Sequence, residues 1–492
     1  MGVTMIRAGK SRLWGLAGLL RRAGVLPLLG WAFLGWALAG CAGEPERKDE
    51  VWVDPPGPAW VTVWSSTYNL DDALGNDADL MIARSWNGGG TWSPARPLYD
   101  GAATDVGDDW RPQLGDDGQG NWLVVWQSTD PLGGAIGADW DLLFSRSTDH
   151  GATWSAPQAL HSNAATDTGS DEHPVLRHGG GGVWLVAWRS TDDLGGTVGT
   201  DSDLLFVRSA DNGLTWSAPA LLNTSGDTDY FQDSDVALDS DGGGIWTAVW
   251  TSDNPAGLTI GFDYDLFYSR SLDNGLTWSA PAVFNGNAQS DADYDSGAVV
   301  RADGNGNWVA LWGVGHYISV TSENWSLYGA TSSDDGLTWS MPALIQGDPA
   351  TNVSKHPQPY LVTDGAGTWS AGFQSPVYPT ENWASDYDVF ITQSVDNGAT
   401  WGAPVVLNSN AGQDREDDGM PVLATDRLGT WAAVWVSTED VGFRAGNDPD
   451  LMVSTFSAGG SGWRPFAFLN DYARRDSGFD FTPALAIPGG EN

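Results

Sequence analysis

The stretch Ser209-Ala210-Asp211-Asn212-Gly213-Leu214-Thr215-Trp216 constrains this chain more than any other, because it recurs. Written as Ser-x-Asp-x-Gly-x-Thr-Trp, its copies end at Trp92, Trp154, Trp216, Trp278, Trp339 and Trp401. A worn copy ends at Trp463, where Ser457-Ala458-Gly459-Gly460 has lost the Asp. Successive Trp residues lie 62, 62, 62, 61, 62 and 62 positions apart. A fixed period of this size means an array of one supersecondary unit. The stretch itself has the chemistry of a tight hairpin turn: Asp bonds the amides just ahead, Gly takes a positive φ, and Trp returns into the sheet.

The unit from Asp167 to Ser225 shows what is repeated. His173-Pro174-Val175-Leu176 is a short first strand and Gly179 to Gly182 a turn. Val183 to Trp188 is a second strand, apolar on both faces as in a strand covered on both sides. Asp203 to Ser209 is a third strand, and Ala218 to Leu222, beyond the turn, a fourth. The second-strand aromatic recurs as Trp64, Trp126, Trp188, Trp250, Trp312, Phe373 and Trp435. Four antiparallel strands make a propeller blade. The expected fold is therefore all-β, a seven-bladed β-propeller. Phe481 to Leu485 matches a first strand with no second strand after it, so it is expected to complete the blade begun by Trp60 to Trp64 and leave no open edge. The rival for that place is Val51-Trp52-Val53.

The repeated turn resembles the Asp-box, or bacterial neuraminidase repeat, over nearly all of the chain after its leader. The resemblance implies a propeller of the sialidase-like superfamily. Sialidases have six blades, so the likeness is to the repeat and not to a whole enzyme, and a fold does not carry an activity with it.

Residues 1–40 are read as a leader. Arg7, Lys10, Arg12, Arg21 and Arg22 precede an apolar run from Val25 to Ala39. Leu38-Ala39-Gly40-Cys41 resembles a bacterial lipobox, which implies a lipid on Cys41, the one cysteine of the chain. A plain signal or a membrane helix with a chance Cys is the alternative. Residues 41–50 read as the lipidated Cys and a polar tether, and 51–492 as the propeller. Ala42 and Gly43 carry no acidic retention signal, which by resemblance favours the outer membrane or its outer face. Loss of the leader takes the formal charge from −40 to −45. Such a surface argues against nucleic acid and against an anionic bilayer as partners, leaving the lipid as the only membrane contact. A monomer is expected.

Asp-x-x-x-Asp precedes each first strand: Asp105 and Asp109, Asp167 and Asp171, Asp229 and Asp233, Asp291 and Asp295, Asp414 and Asp418, Asp476 and Asp480. A second pair, Asp-x-Asp, opens the third strand, as at Asp77/Asp79 and Asp139/Asp141. Both fall on the face opposite the hairpin turns, so the carboxylates are expected to ring one channel mouth. Backbone amides, Trp N–H groups or bound cations must compensate them, and Ca²⁺ is the cation that suits carboxylate oxygens. A residue repeated in every blade also has a purely structural reading, as the holder of a turn or of the next blade.

One unit breaks the pattern with Asn352-Val353-Ser354-Lys355-His356. Nearby on the same face are His316, Tyr317 and Glu323, then Tyr378 and Glu381. Together with Lys355 and His356 they form a candidate ligand site; drift in one copy is the alternative. Three functions remain open: a non-catalytic binder of a glycan, peptide or protein; a sialidase-like exo-glycoside hydrolase; and glycan cleavage by paired carboxylates. Sialidases carry an Arg-Ile-Pro on a first strand, and Trp110-Arg111-Pro112 is the nearest match here, lacking the Ile. No catalytic residue is assigned. No Ser-His-Asp arrangement, phosphate loop or zinc signature is legible.

Overall fold

The computed structural model describes residues 54–55, 57–70, 73–199, 201–226, 230–254, 263–290, 292–319, 322–347, 356–376, 386–408, 416–438, 448–457, 462–470, 472–473 and 477–490. These form twenty-eight β-strands and no helix, gathered into seven four-stranded antiparallel sheets. The first strands touch in cyclic order. Asp480–Ala486 meets Asp109–Asp116, the contacts pass from blade to blade, and Asp418–Thr425 returns to Asp480–Ala486. The molecule is a closed seven-bladed propeller.

The second blade shows the local logic. Its strands are Asp109–Asp116, Trp122–Ser128, Asp141–Ser147 and Gln158–Ala159. The second strand, Trp-Leu-Val-Val-Trp-Gln-Ser, is buried at every position, because adjacent blades cover both its faces. One apolar cluster therefore joins Val61, Val63 and Ile82 of the first blade to Leu114, Trp122 and Trp126 of the second. The outer strand is two residues long, one exposed and one half-buried, too short to template pairing with another chain.

The C-terminus closes the first blade. Asp480–Ala486 pairs antiparallel with Trp60–Ser66, in a register that sets Val61 opposite Ala486 and Ser66 opposite Asp480. The place offered to Val51-Trp52-Val53 is thus taken, and those three residues lie outside the described ones.

The hairpin turns behave as their sequence requires. In the third blade, Ser209 Oγ accepts from Gly213 N–H at 2.9 Å and donates to Asp211 Oδ1 at 2.8 Å. Asp211 Oδ1 also accepts from Thr215 N–H at 2.9 Å. Asn212 and Gly213 take φ of +59° and +71°, which Gly and Asn tolerate best. These bonds favour the ionised carboxylate. The Thr277 hydroxyl and amide hold Asp273 down at about 2, and the Thr338 pair does the same for Asp334. The third-strand arginines bind this turn in the next blade. Arg146 Nε and Arg208 Nε donate to the carbonyls of Asn212 and Asn274, each at 2.7 Å. Arg84 reaches His150 O at 2.9 Å and Arg270 reaches Asp335 O at 2.5 Å. The turn is a connector between blades as well as a bend within one.

Candidate functional site

Among the described residues, the second Asp of each pair does not ring a channel mouth. The second Asp of each pair turns into its own blade and accepts from the second-strand indole: Trp126 to Asp109 at 2.8 Å, Trp188 to Asp171 at 2.6 Å, Trp250 to Asp233 at 3.0 Å. The same bond joins Trp312 to Asp295 at 2.5 Å, Trp435 to Asp418 at 3.0 Å and Trp64 to Asp480 at 2.9 Å. These aspartates are buried, and the indole donor explains why, outside the closing blade, each Asp stands seventeen positions before its Trp. The first Asp of the pair is described only at Asp105 and Asp167, both half-buried. Asp229, Asp291, Asp414 and Asp476 lie outside the described residues, as does Cys41.

Each such Asp also faces a third-strand Asp of the preceding blade, and a bridging side chain separates the two. At four junctions it is an Asn whose Nδ2 donates to both. Asn285 reaches Asp265 at 2.8 Å and Asp295 at 2.9 Å, and Asn470 reaches Asp450 at 3.0 Å and Asp480 at 2.6 Å. Asn408 bonds Asp388 and Asp418, and Asn223 bonds Asp203 and Asp233. Two hydrogens serve two carboxylates. Two junctions lack that balance. Tyr99 brings a single O–H to Asp105 and Asp109, the latter at 3.0 Å. One carboxyl must supply the missing hydrogen. Burial accordingly raises Asp109 to about 7 and Asp105 to about 6, and burial with the nearby Asp105 charge raises Asp79 to about 8. His161 bridges the other, where burial raises Asp171 to about 7 and, with the Asp167 charge, Asp141 to about 8.

The junction singled out by the broken motif has lost every member of this network. His356 stands for the Asp, Phe373 for its Trp, Gln346 for the bridging Asn and Ser326 for the third-strand Asp. Phe373 has no N–H, so an Asp at 356 would lose its donor. The imidazole instead swings onto the preceding blade. Its Nε2–H donates to Ser296 O at 3.2 Å, and Nδ1 accepts from Gln358 N–H at 3.0 Å. Burial holds His356 below its ordinary value, so it is neutral. A Cβ on Gly297 or Gly313 would lie 2.4 or 2.8 Å from that ring, which makes both glycines part of its seat.

The other residues expected beside it divide. His316 lies on the opposite face of its strand, where Nδ1 meets Asp293 at 2.8 Å. Tyr317 and Glu323 face one another across the same hairpin, but their side chains lie outside the described set. Lys355, Tyr378 and Glu381 lie outside the described residues altogether. The structure therefore brings His356, and not His316, to the central axis.

What it meets there could not be located from the repeat alone. Six of the seven first strands carry a bulge whose residue adopts a positive φ, Arg111 +56°, His173 +57°, Asp235 +50°, Gly297 +61°, Met420 +52° and Thr482 +45°, and Gln358, just before the seventh first strand, takes +44°. These seven equivalent positions hold seven different amino acids. All seven line a central cavity of about 450 Å³, with His356 and Tyr360 beside them. Its described lining holds one carboxylate, Asp235, so the acidic channel expected above is not what the axis presents. Asp235 sits 3.8 Å from His173 Nδ1, and the imidazole beside it holds its carboxyl below the usual carboxylate range. A sequence signal existed: in five copies the variable residue precedes a Pro, as in Arg111-Pro112 and Met420-Pro421.

No protein-family model matches the chain. A sialidase of Clostridium perfringens is 28% identical over 186 residues, covering 33% of this chain and 47% of that enzyme. The chain thus spans about half the length of the relative it matches. The aligned relative, the hairpin turns and the closed ring of blades agree. The chain is a seven-bladed propeller with Asp-box turns, and it resembles the sialidase-like superfamily. Among solved structures, a Hadza microbial sialidase has a TM-score of 0.41 at 15% identity, covering 74% of this chain and 71% of its own. An α-L-arabinanase of Penicillium chrysogenum complexed with arabinobiose has a TM-score of 0.45 at 17% identity, covering 71% and 93%. These likenesses carry no argument about activity.

For this Asp-box propeller the strained ring is testable. A non-glycine residue in the left-handed region costs about 1–2 kcal/mol. Met420→Gly should therefore leave stability unchanged or raise it by about 1 kcal/mol, while Met420→Val lowers it. Urea midpoints measure both, and a clear loss for the Gly variant would show that the backbone there is not strained.

Proposed function

We propose that this Asp-box propeller is a lipid-anchored, non-catalytic binding protein of the bacterial cell surface. On this reading its central cavity takes a short glycan. The bulge ring carries the proposal. The turn Asp and the second-strand Trp recur in most blades, yet at this left-handed position facing the cavity every blade differs and six of seven keep a strained non-glycine residue. Strain of that kind persists where side-chain placement matters more than local stability. The chemistry suits a sugar. Arg111 offers charged donors, Gln358 and Thr482 offer polar groups of both kinds, and Met420, Pro421 and Pro483 offer apolar surface to the C–H face of a ring.

A sialidase-type hydrolase is the second reading, favoured by Arg111 standing on a first strand beside Pro112 and facing the cavity. Hydrolysis would need two carboxyl groups about 5–9.5 Å apart, or a Tyr nucleophile with its acid. The described lining offers only Asp235, and Arg189, the nearest candidate for a second clamp, is already paired with Glu172. The test is an oligosaccharide array holding sialylated and neutral glycans, run beside a fluorogenic sialoside assay. Binding without turnover is expected, with Arg111→Ala weakening a sialylated ligand at least about tenfold. Turnover abolished by Arg111→Ala would establish the hydrolase instead. Failure of every glycan to bind would refute the glycan reading.

A further inference from the structure

His161 bridges the junction between the second and third blades at the position where four others use Asn. Asn163 fixes its protonation. The Asn163 amide donates to Asp167 Oδ2 at 2.8 Å and Asp192 Oδ2 at 2.5 Å, so its Oδ1 faces His161 Nδ1 at 3.2 Å. An amide oxygen only accepts; Nδ1 therefore carries the hydrogen and Nε2 the lone pair. That lone pair points where the Asn hydrogens would be, 3.2 Å from Asp171 Oδ2 and 3.6 Å from Asp141 Oδ1. The Leu142 amide is 3.4 Å away, beyond the usual range. Neither oxygen of Asp141 accepts a hydrogen bond, although its side chain is 1% exposed, and Asp167 Oδ1 has no donor either. The junction gathers acceptors around a point and offers them only one long backbone donor, the Leu142 amide on Nε2.

We infer that a small divalent transition-metal ion of the zinc class occupies this point, held by His161 Nε2, Asp141, Asp171 and Asp167. One ligand atom from each lies within 4.8 Å of all the others. Four ligands about 2.0–2.1 Å from a tetrahedral ion stand about 3.3 Å apart, close to the two separations above. The outer shell is that of a metal-binding imidazole. An amide oxygen receives the Nδ1–H, and the Trp188 indole steadies Asp171 Oδ1 at 2.6 Å. Calcium fits poorly, since it takes six to eight oxygens and this set is buried and includes a nitrogen. A closed four-ligand site is structural, and this one would join two blades. The ligands are spread over thirty-one residues with no His/Cys spacing, which is why no zinc signature is legible in the sequence.

The test uses the full chain without a histidine tag, stripped with chelator and returned to zinc. Wild type should retain one zinc per chain, melt higher with zinc than in chelator, and give the intense visible absorption of four-coordinate Co²⁺ when cobalt replaces it. His161→Asn should fold, because Asn serves the four sister junctions, yet hold no zinc and show no zinc-dependent melting shift. Asp167→Asn, on a half-buried loop residue, should weaken zinc at least about tenfold. Wild type that retains no zinc, a His161→Asn protein that retains as much, or zinc displaced by equimolar calcium would each overturn the inference.

Discussion

A chain ending at residue 476 is expected not to fold cooperatively. The deletion removes Asp480–Ala486 and with it the first strand of the first blade. Trp60–Ser66 becomes an open edge in the middle of the ring, and its neighbours Asp109–Asp116 and Asp418–Thr425 lose the strand between them. Ala484, Leu485, Ala486 and Ile487 are all buried, and Trp64 Nε1 loses Asp480 Oδ1. Two large and two small apolar side chains, a seven-residue ladder and an indole left with only its longer bond to Tyr472 amount to roughly 10 kcal/mol, within the 5–15 kcal/mol that holds a typical domain. Tryptophan fluorescence in urea should show a broad, shallow transition, and a synthetic peptide of residues 477–492 should restore the sharp one. A truncated chain with the full-length midpoint would mean that the ring does not depend on this closure. Asp480→Ala isolates the clamp. It leaves the Trp64 indole, the Asn470 amide and the Tyr472 hydroxyl without their common acceptor, and should cost about 3 kcal/mol.

The closure was legible because it depends on local chemistry repeated at a fixed period. Turn residues, second-strand tryptophans and the stray first strand at Phe481 each speak for themselves. The carboxylates were misplaced because period and strand order give the rim a residue sits on, not the direction in which its side chain points. The direction was encoded in a pairing rule: Asp and Trp stand seventeen apart and are lost together at His356 and Phe373. The cavity was hidden for a different reason. It is built from one left-handed residue per blade, bulged in six of the seven, and a bulge reverses the facing that simple alternation would assign. Only the Pro that follows in five copies hinted at it. The same limit applies to His161, whose meaning lies in what its sisters at Asn223 and Asn285 do with their hydrogens.

Those hydrogens lead to the second large effect. In chelator, the protein should be more stable near pH 5 than at pH 8. An Asp in the unfolded chain titrates near 3.9. Burial and the Asp105 charge raise Asp109 to about 7 in the fold, against the pull of the Ser128, Trp126 and Tyr99 hydrogen bonds, and burial raises Asp171 as far. A folded value above the unfolded one means that the native state holds the proton more tightly. Stability is then full below about pH 4 and is lost as the pH rises through about 7. Three units at one buried site correspond to about 4 kcal/mol between those limits. The turn aspartates Asp273 and Asp334 act the other way below about pH 4, but they are exposed and their share is small. The two trends together place the maximum between about pH 4 and 6. Asp109→Asn mimics the protonated acid: its oxygen can still accept from Trp126 and its amide can donate toward Tyr99. It should therefore change little at pH 5 and stabilise the fold at pH 8, removing much of the slope. Urea midpoints of both proteins at the two pH values decide the matter. If wild type is as stable at pH 8 as at pH 5, the buried acids are ionised and paired with donors other than those seen here.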